Sequence, residues 1–147
     1  MANIKSKWLK PSRNVPYAEG ILVYNDTGST ILQNAIVRIN SGSLQGGGLR
    51  IALASASSAP LGGKVPLFAA KHGIPTGKWG VILPWVIVSN INTAAFTAGN
   101  VAYLQNAVGT FAHGAGTVSR AVGVCIVSHA TTGVVWLCPS QFSYETV

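Results

Sequence analysis

The stretch AGNVAYLQNAVGTFAHGAGTVSRAVGVCIVSHATTGVVWLCP, Ala98–Pro139, decides the fold class. Short apolar runs alternate in it with glycine-marked turns. Val101–Gln105, Val118–Ser128 and Val134–Cys138 are rich in the β-branched and aromatic residues that fit a pleated, half-buried surface. A helix does not fit, because Gly109, Gly114, Gly116, Gly123 and Gly133 break up any helical period, and each interior glycine costs a helix about 1 kcal/mol relative to alanine. In the second run, alternation puts Val118, Arg120, Val122, Val124 and Ile126 on one face. The other face, Ser119, Ala121, Gly123 and Cys125, is small, which lets another sheet or a neighbouring subunit approach closely.

Upstream of this stretch the same signals recur. Ile21–Tyr24 is followed by a turn at Asn25-Asp26-Thr27-Gly28, and Ile36–Asn40 alternates with Val37 and Ile39 on one face and Arg38 on the other. Leu49–Ala54 and Val65–Ala70 are further strand candidates. Trp79–Ile91 is the densest apolar segment, and since Pro84 cannot donate to a ladder it reads as two strands or one bent edge strand. Trp79, Leu83 and Trp85 are expected to pack in the core. Asn90–Thr97 has room for one helical turn. Strands of this length at hairpin spacing, with no long helix, predict an all-β chain, a small β-barrel or a β-sandwich.

Residues 1–20, MANIKSKWLKPSRNVPYAEG, differ in kind: they hold four of the ten basic residues, two prolines, Trp8 and Tyr17, and show no period. They read as an extended basic N-terminal arm ahead of a single β domain, residues 21–147. Ordering such an arm on a partner costs about 1–2 kcal/mol of backbone entropy per residue, recovered through aromatic anchors and paired lysines. No continuous apolar segment follows its lysines, so the start does not read as a secretory signal, and synthesis in a cytoplasm is expected.

Charge excludes most chemistry. Ten Lys and Arg stand against Glu19, Asp26 and Glu145, a net +7 over 147 residues, and no carboxylate side chain lies between Thr27 and Tyr144. General acid/base pairs, Asp-supported triads and oxygen-rich cation sites all need carboxylates on a rigid scaffold. His72, His113 and His129 are each isolated, without the close spacing of a zinc site, and read as exposed loop residues. Cys125 and Cys138 read as free thiols; they come to face each other only if the intervening turn centres on Thr131–Thr132. His129 is too far along to activate Cys125 within one strand. The glycine-rich Ser41–Gly48 lacks the lysine and hydroxyl residue of a phosphate-binding loop and reads as a surface turn. The expectation is a protein with no catalytic residue, no cofactor and no metal.

With 48% hydrophobic and only 9% charged residues, the chain has apolar surface to spare for partners. Its longest apolar run, Trp79–Val88, is interrupted by Pro84 and falls short of the about 20 residues a membrane helix needs, so no membrane partner is expected. A pI near 9.9 raises nucleic-acid binding, but Lys and Arg are scattered singly over the body without aromatic interleaving. Direct nucleic-acid binding is therefore not the leading expectation.

The order of motifs carries a resemblance. Ala98-Gly99-Asn100-Val101-Ala102-Tyr103-Leu104, the turn Gly109-Thr110-Phe111, Ser119-Arg120-Ala121-Val122-Gly123-Val124 and Gly133-Val134-Val135-Trp136-Leu137 together resemble the small capsid decoration (cement) proteins of tailed bacteriophages. The resemblance covers the C-terminal third closely and Val65–Leu83 more loosely; Gly46–Gly48 and Ala54–Pro60 align with no family feature. It implies a β-tulip-like domain that forms a homotrimer on the outer capsid surface, binds the major capsid protein and stabilises the expanded shell. It also implies that the arm orders on the shell, which makes Lys5, Lys7, Trp8, Lys10, Arg13 and Tyr17 the candidate capsid contacts. The alternatives are a basic nucleic-acid-binding β-barrel module and another virion part such as a tail or spike subunit.

Overall fold

The computed structural model describes residues 20–45, 48–62 and 65–140. Ten strands run through them: β1 (Ile21–Asn25), β2 (Ile36–Gln45), β3 (Gly48–Leu53), β4 (Leu67–Ala70), β5 (Lys78–Leu83), β6 (Val86–Ile91), β7 (Val101–Leu104), β8 (Phe111–Ala112), β9 (Ala121–Val127) and β10 (Gly133–Leu137). No helix occurs among the described residues. The all-β expectation holds, and so does the break at Pro84, which falls between β5 and β6.

The first five strands close into a barrel in the order β1-β3-β2-β4-β5. Closure comes from β1, which lies parallel to β3 with Tyr24 opposite Arg50 and antiparallel to β5 with Tyr24 opposite Trp79. Val23, Val37, Ile51, Ala70 and Ile82 fill the interior. Ile31 and Ile74 enter it from loops and bond to each other, N–H to carbonyl, at 3.0 and 2.8 Å. Fully burying each such aliphatic side chain contributes about 1.5–3 kcal/mol.

The last five strands form a sheet in the order β6-β10-β9-β7-β8, curled into a half-barrel. Its inner face supplies Val88, Ala102, Leu104, Val122, Val135 and Leu137 to a second core, completed from the barrel side by Ile36, Ala54, Ala56 and Leu67. Backbone bonds reinforce this junction. Gly109 donates to Ala54 O at 2.7 Å, Ile36 to Gly109 O at 3.0 Å, and Ala56 to Gln105 O at 2.9 Å. Gly109 has φ 73°, and a Cβ there would sit 2.8 Å from Leu53 Cδ2, so the position admits only glycine without strain.

Several expectations are corrected. The ladder of β2 and β3 continues to Gln45 opposite Gly48, so Ser41–Gln45 is strand and not surface turn. Asn90–Thr97 forms no helical turn; Phe96 donates to Thr93 O at 2.9 Å in a β-turn. In β9, strict alternation fails because the strand carries two irregularities. Tyr103 and Ala102 of β7 face Ala121 and Gly123, which leaves Val122 as an extra residue; Val135 and Val134 of β10 face Cys125 and Val127, which leaves Ile126 as another. Each extra residue shifts the side-chain parity by one. Val122 and Cys125 therefore point into the core, while Val124, Ile126 and Val127 lie on the outer side. The small size of Gly123 serves the sheet itself, since a Cβ there would overlap the carbonyl of Trp136.

Trp79 and Trp85 are also not core residues; they are 40% and 51% exposed. On β5 the inward positions belong to Gly80 and Ile82, and Gly80 is needed because Ile74 occupies the space a side chain would take. Trp79 lies outside, edge-on to Tyr24 with ring centroids 5.2 Å apart.

Candidate interaction surfaces

The candidate contacts Lys5, Lys7, Trp8, Lys10, Arg13 and Tyr17 all lie outside the described residues. The described body offers three surfaces that sequence reasoning did not locate.

The first is the wall of the barrel. Register places Arg50, Tyr24 and Trp79 in one row across β3, β1 and β5. Arg50 Nη1 pairs with Asp26 Oδ2 at 3.1 Å. This wall combines cationic and aromatic groups, the only types needed to meet an acidic or stacked surface.

The second is the outer face of the half-barrel. Ile87, Trp136, Val124 and Val101 form a row across β6, β10, β9 and β7, since Trp136 is directly opposite both Ile87 and Val124, and Val124 is opposite Val101. Residues directly opposite in a ladder share a face. Ile87 and Trp136 are 56% and 41% exposed. The neighbouring row, Ser89, Val134 and Val127, is uncharged as well.

The third is a groove of about 410 Å³ where the half-barrel fails to close. Val88 and Ile91 of edge strand β6 line one side, Phe111 of edge strand β8 with Val108 another, and Leu32 and Leu53 of the barrel complete it. Thr30, Gln33, Asn34 and Thr110 add polar groups.

Among the described residues no three His, Cys, Asp or Glu side chains gather into a set able to hold a metal ion. His72, His113 and His129 are exposed, as expected. His129 Nδ1 accepts from the backbone N–H of Thr131 and of Thr132, both at 3.1 Å, which makes it a turn-former. Cys125 and Cys138 are buried free thiols; Cys125 lies opposite Val135, and Cys138 N–H bonds to Val122 O, so the ladder keeps the cysteines apart. Burial pushes the Cys138 thiol up from its ordinary pKa. Arg120, assigned from the sequence to a strand face, precedes β9 and is buried, with Nη2 donating to Pro139 O at 3.3 Å.

No protein-family model and no curated protein sequence matches the chain. Among solved structures the fold is similar to that of the head fiber gp8.5 N base of bacteriophage phi29, with a TM-score of 0.54 at 13% identity, over 86% of this chain and 98% of that one.

Proposed function

We propose that this protein is a structural component of a phage virion that sits as a homotrimer on the outer capsid surface, binds the major capsid protein and stabilises the expanded shell. The observation that carries the reading is the fold likeness to a phage head fiber base, which extends over nearly the whole of that chain. The resemblance of the Ala98–Leu137 motifs to capsid decoration proteins points the same way. So does the body itself, which has two cores, exposed apolar residues, and no carboxylate beyond Asp26 among its described residues. Lys5, Lys7, Trp8, Lys10, Arg13 and Tyr17 are assigned to the capsid contact, where a trimer engages a repeating lattice multivalently and modest contacts per subunit add up to firm attachment.

The test is loading onto purified capsids of the full chain and of a chain lacking residues 1–13. Saturable binding by the full chain, weakened by the truncation, supports the reading. Equal loading removes the arm from it, and no loading by the full chain overturns it.

The row Arg50, Tyr24 and Trp79 favours a second reading, a nucleic-acid-binding barrel. Its mark is affinity for DNA or RNA that falls steeply with salt and is lost when Lys71 and Lys78 are neutralised.

A further inference from the structure

The outer face of the half-barrel is an exposed, uncharged and largely apolar surface. Trp136 and Ile87 stand at its centre, flanked by Val124 and Val101 in the same row. Ile126 and Val127 extend it because the irregularity in β9 turns both outward, at 48% and 42% exposed. No Lys, Arg, Asp or Glu occurs on β6, β7, β9 or β10. Edge strand β6 borders this face with the sequence Val-Ile-Val-Ser-Asn-Ile. It carries none of the lysines or prolines that usually protect a sheet edge from other chains.

The charge pattern selects the occupant. The charged side chains of the described body lie on the barrel and its loops, at Arg38, Arg50, Lys71, Lys78 and Asp26, apart from the buried Arg120. An acidic partner is steered toward the barrel and gains no electrostatic attraction at the neutral face. Two copies of a chain of net charge +7 repel each other, and the repulsion is least where the contacting surfaces carry no charge. A centre of Trp and aliphatic residues depleted of charge is also the composition found at the core of interfaces between like subunits.

We propose that copies of this chain associate with one another through the outer face of the half-barrel, with Trp136 and Ile87 at the centre of the contact. This gives a location to the self-association in the function proposed above and rests on that reading for its setting; its test uses purified protein without capsids.

The experiment is sedimentation of the full chain and of Trp136→Glu and Ile87→Lys at protomer concentrations up to about 100 µM, because oligomer populations depend on concentration. The full chain is expected to sediment as an oligomer. Each variant is expected to sediment as a monomer, a fall in mass of about threefold if the oligomer is a trimer. Lys78→Glu, at the start of β5 on the barrel, is expected to keep the parent mass. Ile87 is more than half exposed, so its replacement keeps the fold intact and serves if Trp136→Glu unfolds. A full chain that is monomeric throughout, or an Ile87→Lys chain that keeps the parent mass, overturns the proposal. Capsid loading separates the two claims: a monomeric full chain that decorates capsids overturns the self-contact and with it the trimer but leaves the virion role, whereas an oligomer dissolved by Ile87→Lys that never loads overturns only the virion role.

Discussion

Gly133 packs against Thr93 so closely that a Cβ at residue 133 would overlap Thr93 Oγ1 and lie 2.7 Å from Ile91 O. Thr93 cannot yield, because it is fully buried and fastened on both sides. Its Oγ1 donates to Val127 O at 2.7 Å and accepts from His129 N–H at 2.9 Å, while its own N–H bonds to His129 O at 2.8 Å. The β6–β7 connection is thereby tied to the β9–β10 turn. Gly133→Ala should cost about 1–3 kcal/mol by overpacking. Thr93→Val should cost a similar amount by leaving Val127 O and His129 N without their partner. Chemical denaturation of both variants checks this; a Gly133→Ala chain as stable as the parent would show that the turn is loose.

Asn25 performs the equivalent role in the barrel. Fully buried at the end of β1, it donates from Nδ2 to Ser29 O at 2.8 Å and Ile74 O at 2.6 Å, and its Oδ1 accepts from Thr27 N–H at 3.0 Å and Thr27 Oγ1 at 2.7 Å. Asn25→Leu retains the bulk and removes all four bonds. It should destabilise by about 2–4 kcal/mol, at roughly 1 kcal/mol per bond. Asn25→Asp retains the acceptor alone and should fall between the two in thermal midpoint.

Cys138 gives a dependence on alkaline pH. Burial raises its pKa above the ordinary 9.0, so the folded thiol keeps its proton after the unfolded chain has lost it. The folded state then binds more protons than the unfolded state, and stability falls as pH rises through and above 9.0. Below that pH this group contributes no slope. Cys138→Ala should flatten the alkaline limb of a stability–pH profile. Alkylation of Cys138 at neutral pH should track unfolding, and rapid stoichiometric labelling of the native protein would contradict its burial.

The capsid contact proposed for residues 1–20 predicts a kinetic signature. Reversing Lys5, Lys7 and Lys10 to Glu should lower the association rate at low salt by about tenfold or more and erase most of its salt dependence, since charges at the rim of a contact act chiefly on encounter. Trp8→Ala should instead raise the dissociation rate. Surface plasmon resonance on immobilised capsids separates the two effects; unchanged rates in both variants would take the arm out of the contact.

Much of the β architecture was legible in local chemistry. Val101–Leu104 and Gly133–Leu137 emerge as strands within a residue or so of their apolar runs, because β-branched residues bounded by glycine leave the backbone few other options. Pro84 marks the boundary of β5 and β6, because a residue without an N–H ends a ladder wherever it stands. The scarcity of carboxylates, three in the whole chain, was equally readable from composition. The surfaces were not legible. Trp79 and Trp85 read as core because large aromatics usually are, but which face of a strand is interior depends on what stands opposite, and at Gly80 that is Ile74 from a loop.

The sequence by itself determined the strand class, the approximate strand positions and the basic, carboxylate-poor character of the chain, since each follows from residue type and short-range spacing. Only the tertiary structure decided that β1 lies parallel to β3 and closes a barrel, and that the second sheet stays open around a groove. It also decided that two irregularities in β9 send Val122 and Cys125 inward and Val124, Ile126 and Val127 outward. The reason is physical: pairing partners and register are set by contacts between residues far apart in the chain, and a single inserted residue exchanges the two faces of every position beyond it.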